Sequence, residues 1–350
     1  MLPMQAINFA AGHIWRRSRL IRRRRSSCAY TLTEMMVATA ILLAIMTMVL
    51  GMVQMTSKVW SQSNARLQSF QSARHAFETM TRSLGQATLN TYWGYDNPTT
   101  PTQYLRKSEL HFISGTAAGL NLPSALNART HAFFFQTPLG VDNSAGGSTR
   151  LRSLLNACGY YVAFGSDAAF RPSFLLSPNK YRYRLYQFLQ PTDKLDVFKP
   201  GIANDWFLKP LALAKPPVQP LADNVVALIV LPRRSTDGTG AGTVLCPTYS
   251  YDTRSAPSTD PRSNQLPPQV DIILVAVDEP TAERWSKRYG TTAPPLGLET
   301  LFTQASSDST TFQKLDQDLQ TLETTLQAQG ANYRVFRTSV LIQESKWSES

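Results

Sequence analysis

From Met35 to Ser57 the chain runs for 23 residues without a charge, most of them Met, Val, Ala, Ile or Leu. At ~1.5 Å per residue this makes about 35 Å of helix, enough to cross a hydrocarbon core of ~30 Å. The pattern then becomes one-sided. Trp60, Leu67, Phe70, Phe77, Met80 and Leu84 follow at spacings of 7, 3, 7, 3 and 4, with Gln62, Arg66, Gln68, Arg74 and Arg82 on the remaining faces. That is the stripe of an amphipathic helix. No proline interrupts Tyr30 to Asn97, and Pro98 is the first stop signal. A single helix is therefore expected from about Thr31 to Ala87, roughly 85 Å long, with Gly51 as a point of weakness costing about 1 kcal/mol relative to alanine.

After Pro98 short apolar runs separated by loop residues predict strands at Glu109–Ser114, His131–Gln136, Gly159–Phe164, Arg182–Leu189, Asn224–Leu231, Gln269–Val277 and Asn332–Gln343. Tyr181 to Tyr186 alternates as a half-exposed strand does, whereas Asn224–Leu231 and Asp271–Val277 are nearly continuous apolar runs suited to a sheet centre. Helices are predicted over Pro280–Tyr289 and over Ser309–Gln329. The second carries Phe312, Leu315, Leu319, Leu322 and Leu326 at 3, 4, 3, 4 spacing and ends at Gly330. Val141–Thr149 and Ser235–Pro268 read as loops. The expected class is α+β, a long helix packed on an antiparallel sheet.

The net charge of +11 would suggest a polyanionic partner, but its distribution argues otherwise. Seven arginines (Arg16, Arg17, Arg19, Arg22, Arg23, Arg24, Arg25) and no acid lie within residues 1–29, leaving +4 for the rest of the chain. No nucleic-acid partner is expected. A basic block directly before an apolar span keeps that end in the cytoplasm, which puts the body beyond Lys58 on the other side of the membrane. A cleavable secretory signal fits less well, because the apolar run exceeds the ~7–15 residues of such signals and no A-x-A site follows it. A plain signal anchor accounts for all of this except Glu34, a carboxylate at the start of the apolar run. It is either a charge favoured by the helix N-terminus or a group awaiting a partner.

The stretch Ala29-Tyr30-Thr31-Leu32-Thr33-Glu34-Met35-Met36-Val37, preceded by the arginine block, resembles the type IV prepilins and the type II secretion pseudopilins. Those proteins carry a basic leader, a small residue, an aromatic, Thr, Leu, an aliphatic residue and Glu at the head of an apolar helix. The resemblance implies a leader at 1–29 and cleavage between Ala29 and Tyr30 by a membrane prepilin peptidase, with N-methylation of Tyr30. It further implies a transmembrane helix at 30–57, an amphipathic continuation at 58–97 and an extracytoplasmic, β-rich domain at 98–350 containing loop 235–268. In filaments of this kind Glu34 would meet the terminal amine of a neighbouring pilin-like subunit. This chain departs from the pattern in having Ala29 for the usual Gly, Thr33 for an aliphatic residue, and a long leader. The order of helix and strands resembles the larger minor pseudopilins of the J type. Layout and size also resemble the pilin-like cassette protein C family described as Verru/Chthon. The expected place is the bacterial inner membrane, single-pass, with a periplasmic C-terminal domain.

Few residues suggest chemistry. There are four histidines and three cysteines, and no H-E-x-x-H, G-x-S-x-G, P-loop or C-x-x-C motif, so no enzymatic activity, cofactor or metal centre is expected. His111 and His131 fall on predicted strands and read as structural, and His75 as a surface residue. Asp193, Asp196 and Asp205 lie near one another in a loop, with carboxylates of the kind calcium takes but without EF-hand spacing. Tyr92, Trp93 and Tyr95 are expected to pack beneath the first loop. Arg182, Arg184, Arg233 and Arg234 are too few for a DNA-binding surface. Cys28 leaves with the leader. Cys158 and Cys246 remain in an oxidising compartment, where a bridge between them is expected, the alternative being two separate buried thiols. The competing function is an envelope enzyme or binding module on an uncleaved anchor.

Overall fold

The computed structural model describes residues 31–347 except 144–152, 173, 175–177, 200–202, 235–244, 259 and 306–312. In chain order the elements are α1 (Leu32–Gly85), β1 (Tyr92–Tyr95), β2 (Tyr104–Lys107), β3 (Ile113–Thr116), β4 (Ala128–Pro138), β5 (Leu155–Ser166) and β6 (Tyr181–Gln190). Then follow α2 (Asp205–Leu211), β7 (Val218–Asp223), β8 (Val225–Arg233), β9 (Tyr251–Asp252), β10 (Gln269–Val277), α3 (Glu279–Tyr289), α4 (Gln313–Ala328) and β11 (Tyr333–Leu341). The chain is α+β, with an apolar N-terminal helix and antiparallel sheets. It divides into two units, residues 1–59 and 60–350.

In the first unit α1 is proline-free, uncharged from Met35 to Ser57 and exposed along its apolar length. Its threonines turn their hydroxyls back on the helix. Thr39 donates to the Met36 carbonyl at 3.0 Å, Thr47 to Ala44 at 2.9 Å and Thr56 to Met52 at 2.8 Å. Hydroxyls satisfied in this way do not demand water from a surrounding hydrocarbon phase.

In the second unit the last turns of α1 bury Ala73, Ala76, Phe77, Met80 and Leu84. The predicted stripe therefore holds from Phe70, partly buried against the core, to Leu84, but Trp60 is 72% exposed and stands outside it; the side chain of Leu67 lies outside the described residues. The helix stops at Gly85, short of the expected continuation to residue 97, because Tyr92–Tyr95 pairs instead with Tyr104–Lys107 as a separate ribbon.

The β residues form three sheets where one was expected: the β1–β2 ribbon, a three-stranded sheet β11-β10-β8 and a six-stranded sheet β7-β6-β5-β4-β3-β9. Every pairing between these strands is antiparallel. The six-stranded sheet is covered on both faces. Phe133, Phe135, Tyr160 and Val162 join the core shared with α1, β8, β10 and α4, while Phe134, Tyr161, Phe188 and Ala132 meet Trp206 and Phe207 of α2. Successive residues of β4 point to opposite faces, so Phe133-Phe134-Phe135 is apolar without a break. The expected half-exposure of Tyr181–Tyr186 is not observed. Arg182 and Arg184 are buried and neutralised, Arg182 by Glu279 at 2.6 Å and Arg184 by Asp223 at 2.6 Å. Alternation of charged and aromatic residues looked like alternation of water and core because the acids lie far away in sequence.

β8 was expected at a sheet centre. By hydrogen bonding it is an edge, but its outer N–H groups are sealed by side chains of β4. Leu228 donates to the Thr130 hydroxyl at 3.1 Å and Val230 to Nδ1 of His131 at 3.0 Å. β4 reaches β8 through a register shift between Arg129 and Ala132, with Thr130 at φ 55°. The remaining expected strands and the helix Pro280–Tyr289 are present with ends moved by a few residues, and α4 covers the later predicted helix from Gln313 to Ala328; residues 309–312 of that expectation, Phe312 among them, lie outside the described residues. The ribbon strands, β7, β9 and α2 were missed: the strands are short or proline-bearing, and α2 has Pro210 inside a seven-residue helix.

Phe134 lies directly opposite Gly159 in the β4–β5 register, and its ring occupies the place of a side chain there. A Cβ on residue 159 would fall 2.1 Å from Phe134 Cδ1. Gly159→Ala is expected to destabilise the protein by about 3 kcal/mol, read as a lower urea midpoint for the detergent-solubilised chain. Gly165→Ala, in the same strand with open space at Cβ, should change it far less.

Candidate functional site

The best-defined functional candidate is the head of α1. Thr31 and Glu34 form a reciprocal capping box. The Thr31 N–H donates to Glu34 Oε2 at 3.1 Å, the Thr31 hydroxyl donates to the same oxygen at 3.2 Å, and the Glu34 N–H lies 3.3 Å from the Thr31 oxygen. Two backbone donors that a helix start leaves orphaned are thereby satisfied. The Thr-x-x-Glu spacing was legible in the sequence, yet the reading of Glu34 passed over Thr31. From Leu32 to Ser61 the helix has a mean hydropathy of 2.5 over its most apolar window, and none of that window is buried. It is long and apolar enough to cross a membrane. Ala29 and Tyr30 lie outside the described residues.

The buried histidines are structural. His131 accepts from Val230 at Nδ1, so Nε2 carries the proton and donates to the Phe302 carbonyl at 2.8 Å. Burial pushes its pKa down to about 4. His111 accepts the Trp206 indole N–H at Nδ1 (3.0 Å) and faces Asp252 through Nε2 at 2.8 Å. Burial lowers its pKa, and Asp252 offsets part of that. Burial acts to raise the Asp252 carboxyl, but hydrogen bonds from His111 and Ser255 outweigh it and hold the group below the usual carboxylate range. Both imidazoles are closed off from solvent. His75 is exposed on α1.

The expected Cys158–Cys246 bridge is not formed, and both are free thiols. Each sits with its own partner: Cys158 Sγ is 3.8 Å from the Gln187 amide and Cys246 Sγ is 3.7 Å from the Arg262 guanidinium. Burial raises both thiols to about 11. An oxidising compartment permits a bridge but does not bring two thiols into bonding geometry; Cys158 lies inside β5 and Cys246 between β8 and β9.

The acidic residues named for calcium do not converge. Asp196 pairs with Lys199 at 2.5 Å and Asp205 with Lys209 at 2.9 Å, while Asp193 accepts from the Asn143 N–H at 3.4 Å. Among the described residues no group of three metal-ligating side chains occurs. Tyr92, Trp93 and Tyr95 do not pack beneath a loop. They stand on the ribbon at 45%, 61% and 48% exposure, with the Arg106 guanidinium 5.7 Å from the Trp93 ring and Tyr95 against Tyr104 at 5.0 Å. Arg233 pairs with buried Asp271 at 2.7 Å. A hollow of about 610 Å³ lies between Asn127, Arg129, Tyr183 and the Thr291–Thr300 segment, crossed by an Arg129–Glu299 ion pair. Its lining offers polar contacts but no paired nucleophile and base.

Comparison with protein-family models, with curated proteins and with solved structures finds no match for this chain.

Two outcomes follow from this geometry. A histidine buried as the neutral base binds its proton less readily than in the unfolded chain. Stability is therefore fully present above pH ~6.5, falls as pH drops toward 4 because the unfolded state takes up the proton first, and levels off below that. The His131 share is about 3 kcal/mol. His131→Gln should flatten much of the slope in urea midpoint across that range. For the cysteines, peptide mapping after alkylation without reductant should leave Cys158 and Cys246 unmodified in the native protein and modify both in 8 M urea. A disulfide-linked peptide pair would contradict the free thiols.

Proposed function

We propose that this chain is a structural subunit, a minor pilin or pseudopilin, of a type IV pilus-like or type II secretion filament. It is made with a basic leader that prepilin peptidase removes between Ala29 and Tyr30. It is held in the inner membrane with its N-terminus cytoplasmic and its C-terminal domain periplasmic. The observation that carries the reading is the head of α1: a carboxylate held by Thr31 at the mouth of a fully exposed apolar helix, directly after the small-aromatic junction. Once the leader is cut, the Tyr30 amine and the Glu34 carboxylate are opposite charges that a packed apolar bundle must pair. A neighbouring subunit's amine supplies that partner and sets the stagger between subunits.

The capping box also favours a second reading, an uncleaved anchor carrying a binding module, because any helix start gains from it. The two separate cleanly. Under the filament reading, N-terminal sequencing of membrane-extracted protein begins at methylated Tyr30; an intact Met1 supports the anchor. Substitution of Glu34 then distinguishes cap from charge. Glutamine preserves a capping box but removes the carboxylate, so Glu34→Gln should spare helix stability and membrane insertion while lowering co-assembly, measured by crosslinking between transmembrane segments, by about tenfold. Glu34→Ala loses both functions. Parent-level crosslinking by Glu34→Gln would leave Glu34 a cap and nothing more.

A further inference from the structure

The sheets differ in how their edges are closed. β8 is sealed by Thr130 and His131. β7 carries Pro220 and pairs with β6 across a register shift, and β9 is two residues long. Such short, irregular or proline-bearing edges resist further pairing. β11 has none of these protections. It is a nine-residue strand, YRVFRTSVL, without proline, in unbroken register with β10 on one side only.

Its backbone directions follow from the two ends of the ladder. Ile342 donates its N–H to the Pro268 carbonyl at 3.2 Å, and the Asn332 carbonyl accepts from Asp278 at 3.0 Å. Even-numbered residues thus face β10, and the period of two sends the N–H and C=O groups of Tyr333, Val335, Arg337 and Ser339 outward. Past Ser339 the outward residues are Leu341 and, beyond the strand, Gln343, whose N–H is taken by the Gly85 carbonyl at 3.2 Å. From Tyr333 to Ser339 no described residue supplies a backbone partner on that side.

We propose that the open edge of β11 is a docking site for an extended, acidic segment of a partner protein, added as an antiparallel strand. Main-chain hydrogen bonds supply the attachment, as in other cases of strand addition, and charge selects the occupant. The strand contains two arginines and no acid. The Arg334 guanidinium lies 5.5 Å from the Phe336 ring. Arg337, half exposed, lies 3.8 Å from the exposed Asp316, at the outer limit of an ion pair. A second copy of this chain is disfavoured, since full antiparallel self-pairing is centred on Arg337 and sets two guanidiniums face to face. Arg334 and Arg337 fall on opposite faces of the strand, so the matching segment carries acids three residues apart. The inference does not depend on leader cleavage or on the filament reading.

The test uses the full chain in detergent micelles and a blocked peptide, TEVTEVT, with TQVTQVT as the neutral control. Residue-resolved hydrogen exchange should show the amides of Tyr333, Val335, Arg337 and Ser339 exchanging freely in the absence of peptide and protected by TEVTEVT, with Arg334, Phe336 and Thr338 slow throughout. The neutral peptide, or the Arg334→Glu/Arg337→Glu double variant, should weaken binding about tenfold. Arg337→Pro removes an N–H that the ladder does not use, so it should keep the fold and abolish binding. If that variant fails to fold, the charge-reversed variant decides alone. Absence of protection at the odd-numbered amides, equal binding of both peptides, or concentration-dependent protection without peptide would each overturn the proposal, the last by showing self-pairing.

Discussion

The C-terminal body depends on satisfying the backbone of β8. Residues Val225 to Leu231 are buried almost completely, so every N–H and C=O along them needs a partner within the protein. One side finds it in β10. The other side meets no fourth strand, and the Thr130 hydroxyl and His131 imidazole take the place of one. These two side chains join the six-stranded and three-stranded sheets along a seam, and they do so only because β4 departs from regular geometry there. Thr130 holds a backbone conformation that β-branched residues avoid, and the hydrogen bond it accepts from Leu228 compensates for the strain.

The same need of a desolvated polar group for a fixed partner recurs elsewhere among the described residues. In the apolar helix threonines bond back to their own turn, and at its head Glu34 is held by Thr31. In the body Arg182, Arg184 and Arg233 are paired with acids brought in by other segments. Asp271 is held from both neighbouring strands, by Arg233 at 2.7 Å and by Ser339 at 2.5 Å. Buried pairs of this kind add little net stability compared with apolar packing, but breaking one partner is costly. They act more as constraints on register than as glue.

These features explain what the sequence could and could not reveal. The apolar helix, the strands around Val230 and Val275, and the α4 stripe from Leu315 to Leu326 are signals carried by nearby residues, and each is found where periodicity put it. The number of sheets was not legible, because it turns on a register shift between Arg129 and Ala132 that no hydrophobic pattern marks. Burial of Arg182 and Arg184 was hidden for a related reason, their neutralising acids being Glu279 and Asp223. At the helix head the Glu34 carboxylate was noticed, while the Thr31 that holds it was overlooked despite the diagnostic spacing. The cysteines were paired by compartment, an argument with no geometric content.

His131 has a consequence for the order in which the protein can mature. Its acceptor nitrogen waits for Val230, 99 residues later, and its donor for Phe302, 171 residues later. A chain emerging from the ribosome therefore holds β4 complete, with the Thr130 hydroxyl and the imidazole acceptor unengaged until β8 has been made and the imidazole donor unengaged until Phe302 follows. Contacts this distant in sequence form late and slowly, and the exposed Phe133–Phe135 run must be kept from other chains in the interval. The seam that secures the finished domain is thus among the last parts of it to close.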